Sequence, residues 1–345
     1  MSADLTRLLQ IVENFRGKEV VLLGDFVADR FVTGEISRIS REAPVLILKH
    51  HRTEFAPGGG ANAVNNLADL GARVVPVAAV GDDEAGNGLL EYFAKKNVET
   101  SQVAKISKWT TPTKTRYLAG WTHKAGQQVL RVDHEPAQPI SHDVQKRLAV
   151  RAANVARKAK VLVISDYGFG CATPLSARYI RRARGSKLKI TLDSRYSLSE
   201  YIKAGISAAT PNEDELEAVY HREIGGDLKK LELFGRAALR SLALEALVVT
   251  RGKDGMTLFE RNKPVQNIPI FGPDEVADVT GAGDTVIAAF SLALAAGANY
   301  SEAAEIANYA GGIVVMKRGT ATVTQVELAA AIQQEAAGGQ APQRS

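Results

Sequence analysis

The sequence predicts an α/β protein with a doubly wound, mostly parallel sheet flanked by helices and a small β-sheet lid set apart from it. Three observations lead there. Short apolar runs that end in a polar residue or a turn recur along the chain: Glu19–Gly24, Val74–Gly81, Val161–Ser165, Lys189–Asp193, Ala208–Pro211 and Ala246–Thr250. Parallel strands buried on both faces read this way, and their alternation with helical stretches gives βα units. Two stretches, about 31–56 and 108–133, break the rhythm with polar, alternating, strand-like residues. Two glycine-rich turns, Pro57-Gly-Gly-Gly-Ala-Asn and Thr280-Gly-Ala-Gly-Asp, each stand where a loop becomes a helix.

Composition sets the bounds. Length allows one large domain or two ordinary ones, and a single domain is expected over residues 1–335 with the lid strands as insertions. The Ala/Gly/Gln/Pro-rich tail 336–345 is expected to be disordered. A single cysteine, Cys171, forms no internal disulfide and fits a reducing, cytoplasmic compartment. No leader-like or bilayer-spanning apolar run is visible. The N-terminus instead carries Leu5, Leu8, Leu9, Val12 and Phe15 at helical spacing. The net charge of +5 is spread along the chain, which excludes a nucleic-acid footprint and suits a small anionic substrate.

Taken in order, the first strand ends at Gly24-Asp25, with Asp29 soon after. Ligands of open α/β sheets bind at the carboxyl ends of strands, so both aspartates are placed to bind hydroxyls or to cap a turn. In Pro57–Asn62 the backbone amides of Gly58 and Gly59 and the Asn62 side chain suit sugar hydroxyls; a strained turn with an Asn cap is the alternative. Asn212 and Glu215 are three apart at a helix start. They read either as a capping box or as organisers of Mg2+ and its waters near phosphates. Asn308 lies in an Ala/Gly-rich helix that permits close approach by a flat base or by a neighbouring helix.

The organising stretch is Asp278-Val-Thr-Gly-Ala-Gly-Asp-Thr. The first turn of a helix offers unpaired N–H groups and a partial positive charge, an anion site. Asp284 in that turn is either a capping acid or a general base beside the anion hole. The second arrangement suits phosphoryl transfer to an alcohol. Rivals fail on spacing: no G-x-G-x-x-G follows the first strand, and no G-x-x-x-x-G-K-[ST] occurs anywhere. A non-catalytic sugar sensor would lack Asp284 or the Asn212/Glu215 pair. A kinase of another sugar or of a nucleoside remains open.

The triple glycine with Asn62, the Asn212/Glu215 pair, Thr250-Arg-Gly and Asp278–Asp284 together resemble the ribokinase-like carbohydrate kinase family, over about residues 20–328. Within it the chain is most similar to the branch that phosphorylates heptose 7-phosphate on its anomeric oxygen, the kinase half of bifunctional heptose kinase/nucleotidyltransferases. The matching segments are Gly24-Asp25, Ser37–Val45, Thr113–Arg116, Gln127–Asp133, Ser165–Gly168 and Asp278–Val286. Two positions depart: Phe169 stands where that branch has lysine, and Ser194-Arg195 where it has Pro-Lys. No nucleotidyltransferase-like segment follows, so the reading extends to the kinase step alone.

The resemblance implies ATP as donor, Mg2+ as cofactor and a homodimer joined through the lid sheets. It implies Asp284 as base and Gly281, Ala282 and Gly283 with Asp284 as anion-hole amides. Asp25, Gly58, Gly59 and Asn62 would hold the sugar. Asn212, Glu215, Thr250, Gly252 and Asn308 would line the nucleotide side, with Glu215 reaching the metal through water. Arg38, Lys114, Arg116 and Arg195 would take the substrate's own phosphate.

Overall fold

The computed structural model describes residues 4–120, 127–195, 198–272, 278–317 and 319–337. Helix α1 (Leu5–Glu13) leads into strand β1 (Glu19–Gly24), and the chain then leaves the main sheet for β2 (Phe26–Ile39) and β3 (Leu46–Gly59). It returns through α2 (Gly60–Asp69), β4 (Arg73–Gly81), α3 (Glu84–Lys95) and β5 (Val103–Ile106). A second excursion forms β6 (Thr113–Gly120) and β7 (Gln127–His134). Next come α4 (His142–Val155), β8 (Val161–Asp166), α5 (Pro174–Arg184), β9 (Lys189–Ser194) and β10 (Ala208–Ala209). They are followed by α6 (Glu213–Tyr220), α7 (Leu228–Ser241) and β11 (Ala246–Thr250). An antiparallel pair, β12 (Met256–Glu260) and β13 (Gln266–Ile268), precedes α8 (Ala282–Ala295), α9 (Tyr300–Val314) and α10 (Gln325–Ala336).

The main sheet has the order β13-β12-β11-β10-β9-β8-β1-β4-β5. It is parallel from β11 to β5 and antiparallel only at the β11-β12-β13 edge. The apolar run of β1 is buried on both faces, as a central parallel strand requires. Val20 and Leu22 enter a core shared with α1, α2, α8 and α9, while Val21 and Leu23 enter one shared with α4, α5 and α7. Each such side chain contributes about 1.5–3 kcal/mol by leaving water. The chain runs from β1 to β4 on one side of β1, while β8 and β9 extend the sheet on the other. The carboxyl ends of β1 and β8 therefore flank the point where strand order reverses, the usual place for a ligand crevice.

The lid is a separate four-stranded sheet of order β3-β2-β6-β7. Its strands extend further than the alternating pattern indicated. β2 begins one residue past Asp25 because Phe26, Val27 and Ala28 are buried like core residues, and β3 runs on through Gly58 and Gly59. The glycines expected in a loop are thus strand residues, with Gly59 at φ +55° capping α2. Strands β5, β12 and β13 were not expected from the sequence. Of the predicted tail, residue 336 ends α10 and 338–345 lie outside the described residues. Among the described residues no helix is long and apolar enough to cross a membrane.

Candidate active site

Two cavities meet at the carboxyl ends of the strands. The first, about 390 Å3, is walled by Asp29, Gly59, Lys114 and Arg116 of the lid and by Tyr167, Asp193, Arg195 and Asp284 of the main body. The second, about 600 Å3, is more apolar and lies over Met256, Ile270, Val286, Gly311, Gly312 and Val315. Asn212, Thr250, Val279 and Gly283 line both. Gly252 and Asn308 border the second.

Asp284 stands in the first turn of α8, and Gly281 holds the N-cap position in the left-handed conformation at φ +79°. A Cβ at Gly281 would stand 2.5 Å from Asn62 Nδ2, so only glycine fits. The Asp284 carboxylate does not cap its own helix. Its Oδ2 accepts from Asn62 Nδ2 at 2.9 Å and its Oδ1 from the Tyr167 hydroxyl at 2.8 Å. Burial raises its pKa to about 6, and the two hydrogen bonds pull the other way. The Ala282 N–H donates to Val279 O at 3.2 Å. That amide is therefore engaged within its own turn, while Gly281, Gly283 and Asp284 line the first cavity.

Three expected sugar ligands stand elsewhere. Asp25 is fully buried, and its carboxylate accepts from the backbone N–H groups of Tyr167 (2.9 Å), Phe169 (3.0 Å) and Cys171 (2.7 Å). It clamps the loop after β8 and does not face the cavity. Asn62 is also fully buried, and its amide serves Asp284 and the neighbouring Asn66. Gly58 supplies close approach, since a Cβ there would meet Asp29 Oδ2 at 2.7 Å. The aspartate that does face the cavity is Asp29, ion-paired with Arg116.

Of the four basic residues, Lys114, Arg116 and Arg195 line the first cavity. Burial, with Arg195 nearby, lowers the Lys114 pKa, and its Nζ lies 5.8 Å from the centre of the Tyr167 ring. Arg38 is exposed near the outer end of β2, away from this cavity. Extended chain explains this: Arg38 is nine positions beyond Asp29, a span of roughly 30 Å along a strand.

On the other wall, Asn212 caps α6 in a complete capping box. Its Oδ1 accepts from Glu215 N at 2.7 Å, and Glu215 Oε2 accepts from Asn212 N at 3.0 Å. Glu215 still faces the cavity, and burial lifts its pKa to about 7. Asp193, at the end of β9, lies deeper; burial and then the Glu215 charge push its pKa well up. Two carboxylates facing one cavity and resisting ionisation fit a hard divalent cation bound through oxygen and water. Asn308 Nδ2 donates to Pro269 O at 2.8 Å, tying α9 to the segment after β13. Tyr167 and Asp193 were missed as site residues. The available signal was position, since each ends or follows a strand at the cleft.

A family model described as pfkB family carbohydrate kinase matches residues 18–327. The chain is 37% identical over 334 residues to the bifunctional protein HldE of Paramagnetospirillum magneticum, covering 96% of this chain and 67% of that protein. It is 40% identical over 315 residues to HldE of Geobacter metallireducens, covering 91% of this chain and 62% of that protein. The chain thus spans about two thirds of the curated relatives it matches. Its fold matches Arabidopsis thaliana ribokinase complexed with ribose and ATP (TM-score 0.69, 18% identity, 92% of this chain and 99% of that one). It also matches Escherichia coli phosphofructokinase-2 in complex with fructose-6-phosphate (TM-score 0.70, 20% identity, 92% and 98%).

Proposed function

The chain belongs to the pfkB family of carbohydrate kinases, and on that premise we propose that it transfers the γ-phosphoryl group of ATP to a hydroxyl of a phosphorylated sugar, the anomeric hydroxyl of a heptose 7-phosphate. The observation that carries this reading is the place of Asp284. It sits where a cavity lined by three cations and four carboxylates, its own among them, borders a more apolar one, in the first turn of a helix. The relatives, bifunctional HldE proteins, together with the resemblance to heptose 7-phosphate kinases, support the acceptor.

The acceptor lies in the first cavity, with Asp29 toward its hydroxyls and Lys114 and Arg195 toward its phosphate. Asp284 takes the proton of the attacking hydroxyl. The oxygen forms its bond to the γ-phosphorus as the bond to the bridging oxygen breaks, and ADP leaves with that electron pair. The Gly281, Gly283 and Asp284 amides face the charge on the transferring group. The donor base lies over Val286, Gly311 and Gly312 in the second cavity, beside Asn308, with Asn212, Thr250 and Gly252 along its path. Asp193 and Glu215 would hold Mg2+ through water, and the ion would neutralise phosphate charge. The protein acts as a homodimer joined through the lid sheets.

The test is ATP consumption against phosphorylated and free sugars. Heptose 7-phosphate should give the highest kcat/KM; faster turnover of free ribose, fructose or adenosine overturns the assignment.

A further inference from the structure

We propose that Asp25 is a positioning residue for the base, holding both partners of the Asp284 carboxylate in place although it touches neither substrate nor Asp284. The proposal rests on the reading of Asp284 as general base. Asp25 sits at the carboxyl end of β1, across the strand-order reversal from Asp166 at the end of β8. Its side chain accepts three backbone N–H groups of the loop 167–171, one of them from Tyr167 itself. The Tyr167 hydroxyl then donates to Asp284 Oδ1 at 2.8 Å. The backbone carbonyl of Asp25 accepts from Gly60 N at 2.9 Å, at the first residue of α2. Two residues on, still in the first turn, Asn62 donates to Asp284 Oδ2 at 2.9 Å.

One residue thus anchors two routes that converge on one carboxylate. The packing between the routes is close. A Cβ at Gly59 would stand 3.2 Å from Asp25 O and 3.3 Å from Tyr167 Cδ2, and one at Gly60 would stand 2.9 Å from Asp25 O. A buried carboxylate is costly unless its lone pairs are used, and here three N–H groups use them. An amide at this position keeps one acceptor oxygen but turns an NH2 group toward the remaining N–H donors, which leaves part of the clamp unmade and loosens the loop that carries Tyr167. The charged and titratable groups around Asp25 are Asp166, Cys171 and Tyr201. Those around Asp284 are Tyr167, Asp29, Lys114 and Asp193.

The phenol stabilises the ionised form of Asp284, so losing it raises the Asp284 pKa. The experiment compares Tyr167→Phe, Asp25→Asn and the double variant with wild type. The direct readout is the titration of the Asp284 carboxyl carbon by 13C NMR, assigned against Asp284→Asn. The second readout is the acid limb of kcat. Tyr167→Phe should move the Asp284 titration up by about one pH unit, so that at a fixed acidic pH the rate drops about tenfold. Asp25→Asn should do the same, and the double variant should go no further, because both changes break the same bond. The KM for ATP should stay within about twofold. If Asp25→Asn leaves the Asp284 titration in place, or the two shifts add, the proposal falls. If the kcat limb does not follow the Asp284 titration, it is the base assignment that falls. Should Asp25→Asn not fold, wild type still decides: the amides of Tyr167, Phe169 and Cys171 must be protected from hydrogen exchange, and fast exchange at all three overturns the clamp.

Discussion

Asn62 and Asp284 are 222 positions apart in the chain, yet Asn62 Nδ2 donates to Asp284 Oδ2 at 2.9 Å. The two residues lie in the first turns of α2 and α8, and both glycine-rich turns of the sequence therefore serve one carboxylate. Next to this contact Asn66 bonds to Asn62, and the Thr285 hydroxyl donates to Asn66 Oδ1 at 2.9 Å. The Asp284 carboxylate is thus fixed by a buried polar ladder between two helices, which orients it before any ligand enters.

Replacing Asp284 by Asn keeps this shape and removes the proton acceptor. A lost general base costs roughly 10²–10⁴ in rate, so kcat should fall by that factor or more. Burial disfavours the charge at this site, so the neutral amide should leave the melting temperature unchanged or slightly raised. Turnover near wild type in steady-state kinetics would remove Asp284 from the chemistry.

For Asn62 the geometry separates two roles. As a sugar ligand it would contribute to KM; as the partner of Asp284 it contributes to kcat. Asn62→Ala should lower kcat about tenfold, in line with a lost hydrogen bond to a charged group. The acceptor KM should change by less than about twofold. A KM that rises while kcat holds would return Asn62 to the sugar.

Activity and stability should part company in mild acid. Asp25 and Asp284 both have folded pKa values raised from 3.8 to about 6. A carboxyl whose folded pKa exceeds its unfolded value withdraws stability as pH rises between the two. Lowering the pH from about 7 to 5 therefore restores stability at these two sites while protonating the base. Melting temperature should hold or rise over that range, while kcat falls on a limb centred near pH 6. A melting temperature that drops in step with kcat would contradict the assignment.

What the sequence left open follows from the same residues. Asp284 was legible because its glycines mark a loop-to-helix junction whatever surrounds it. The choice between Asp25 and Asp29 was not, because it depends on where the lid begins. With β2 starting at Phe26, Asp25 is the single residue between two buried strands and must spend its carboxylate on backbone. Asp29, inside β2, is left to face the cleft. Arg38 was legible as a cation, but not as one carried off along a long strand. The Asn212/Glu215 spacing allowed a capping box or a metal site; the box is formed, and Glu215 faces the cavity as well. Tyr167 follows a strand at the cleft, but nothing in the sequence points to its partner Asp284, which is 117 positions away.

The lid should join two subunits. Ile39, Val45, Leu46 and Leu130 are each at least half exposed on its strands and on the β2–β3 turn. Exposed apolar side chains on a small sheet with open edges need cover. Light scattering at micromolar protein should give a dimer, and Leu46→Glu with Leu130→Glu should give monomer. A wild-type monomer would refute the lid-to-lid arrangement.

Arg195 offers the test of the proposed acceptor. Arg116 is already committed to Asp29, so its charge is largely used within the lid. Lys114 has its pKa lowered by burial and by Arg195 beside it, so two cations are held close enough to oppose each other. Arg195 also favours the ionised forms of Asp193 and Glu215, and a dianion between Lys114 and Arg195 would relieve the repulsion between the two cations. Arg195→Met keeps much of the length and removes the fork. A charge-assisted bond to phosphate contributes about 1.5–3 kcal/mol, so kcat/KM for a sugar phosphate should fall roughly 10- to 100-fold. The same substitution should leave any residual rate on the matching free sugar nearly unchanged, because that acceptor has no phosphate to lose. Equal losses on both acceptors would mean that Arg195 acts on the donor phosphates instead, and the phosphate pocket would have to be sought elsewhere.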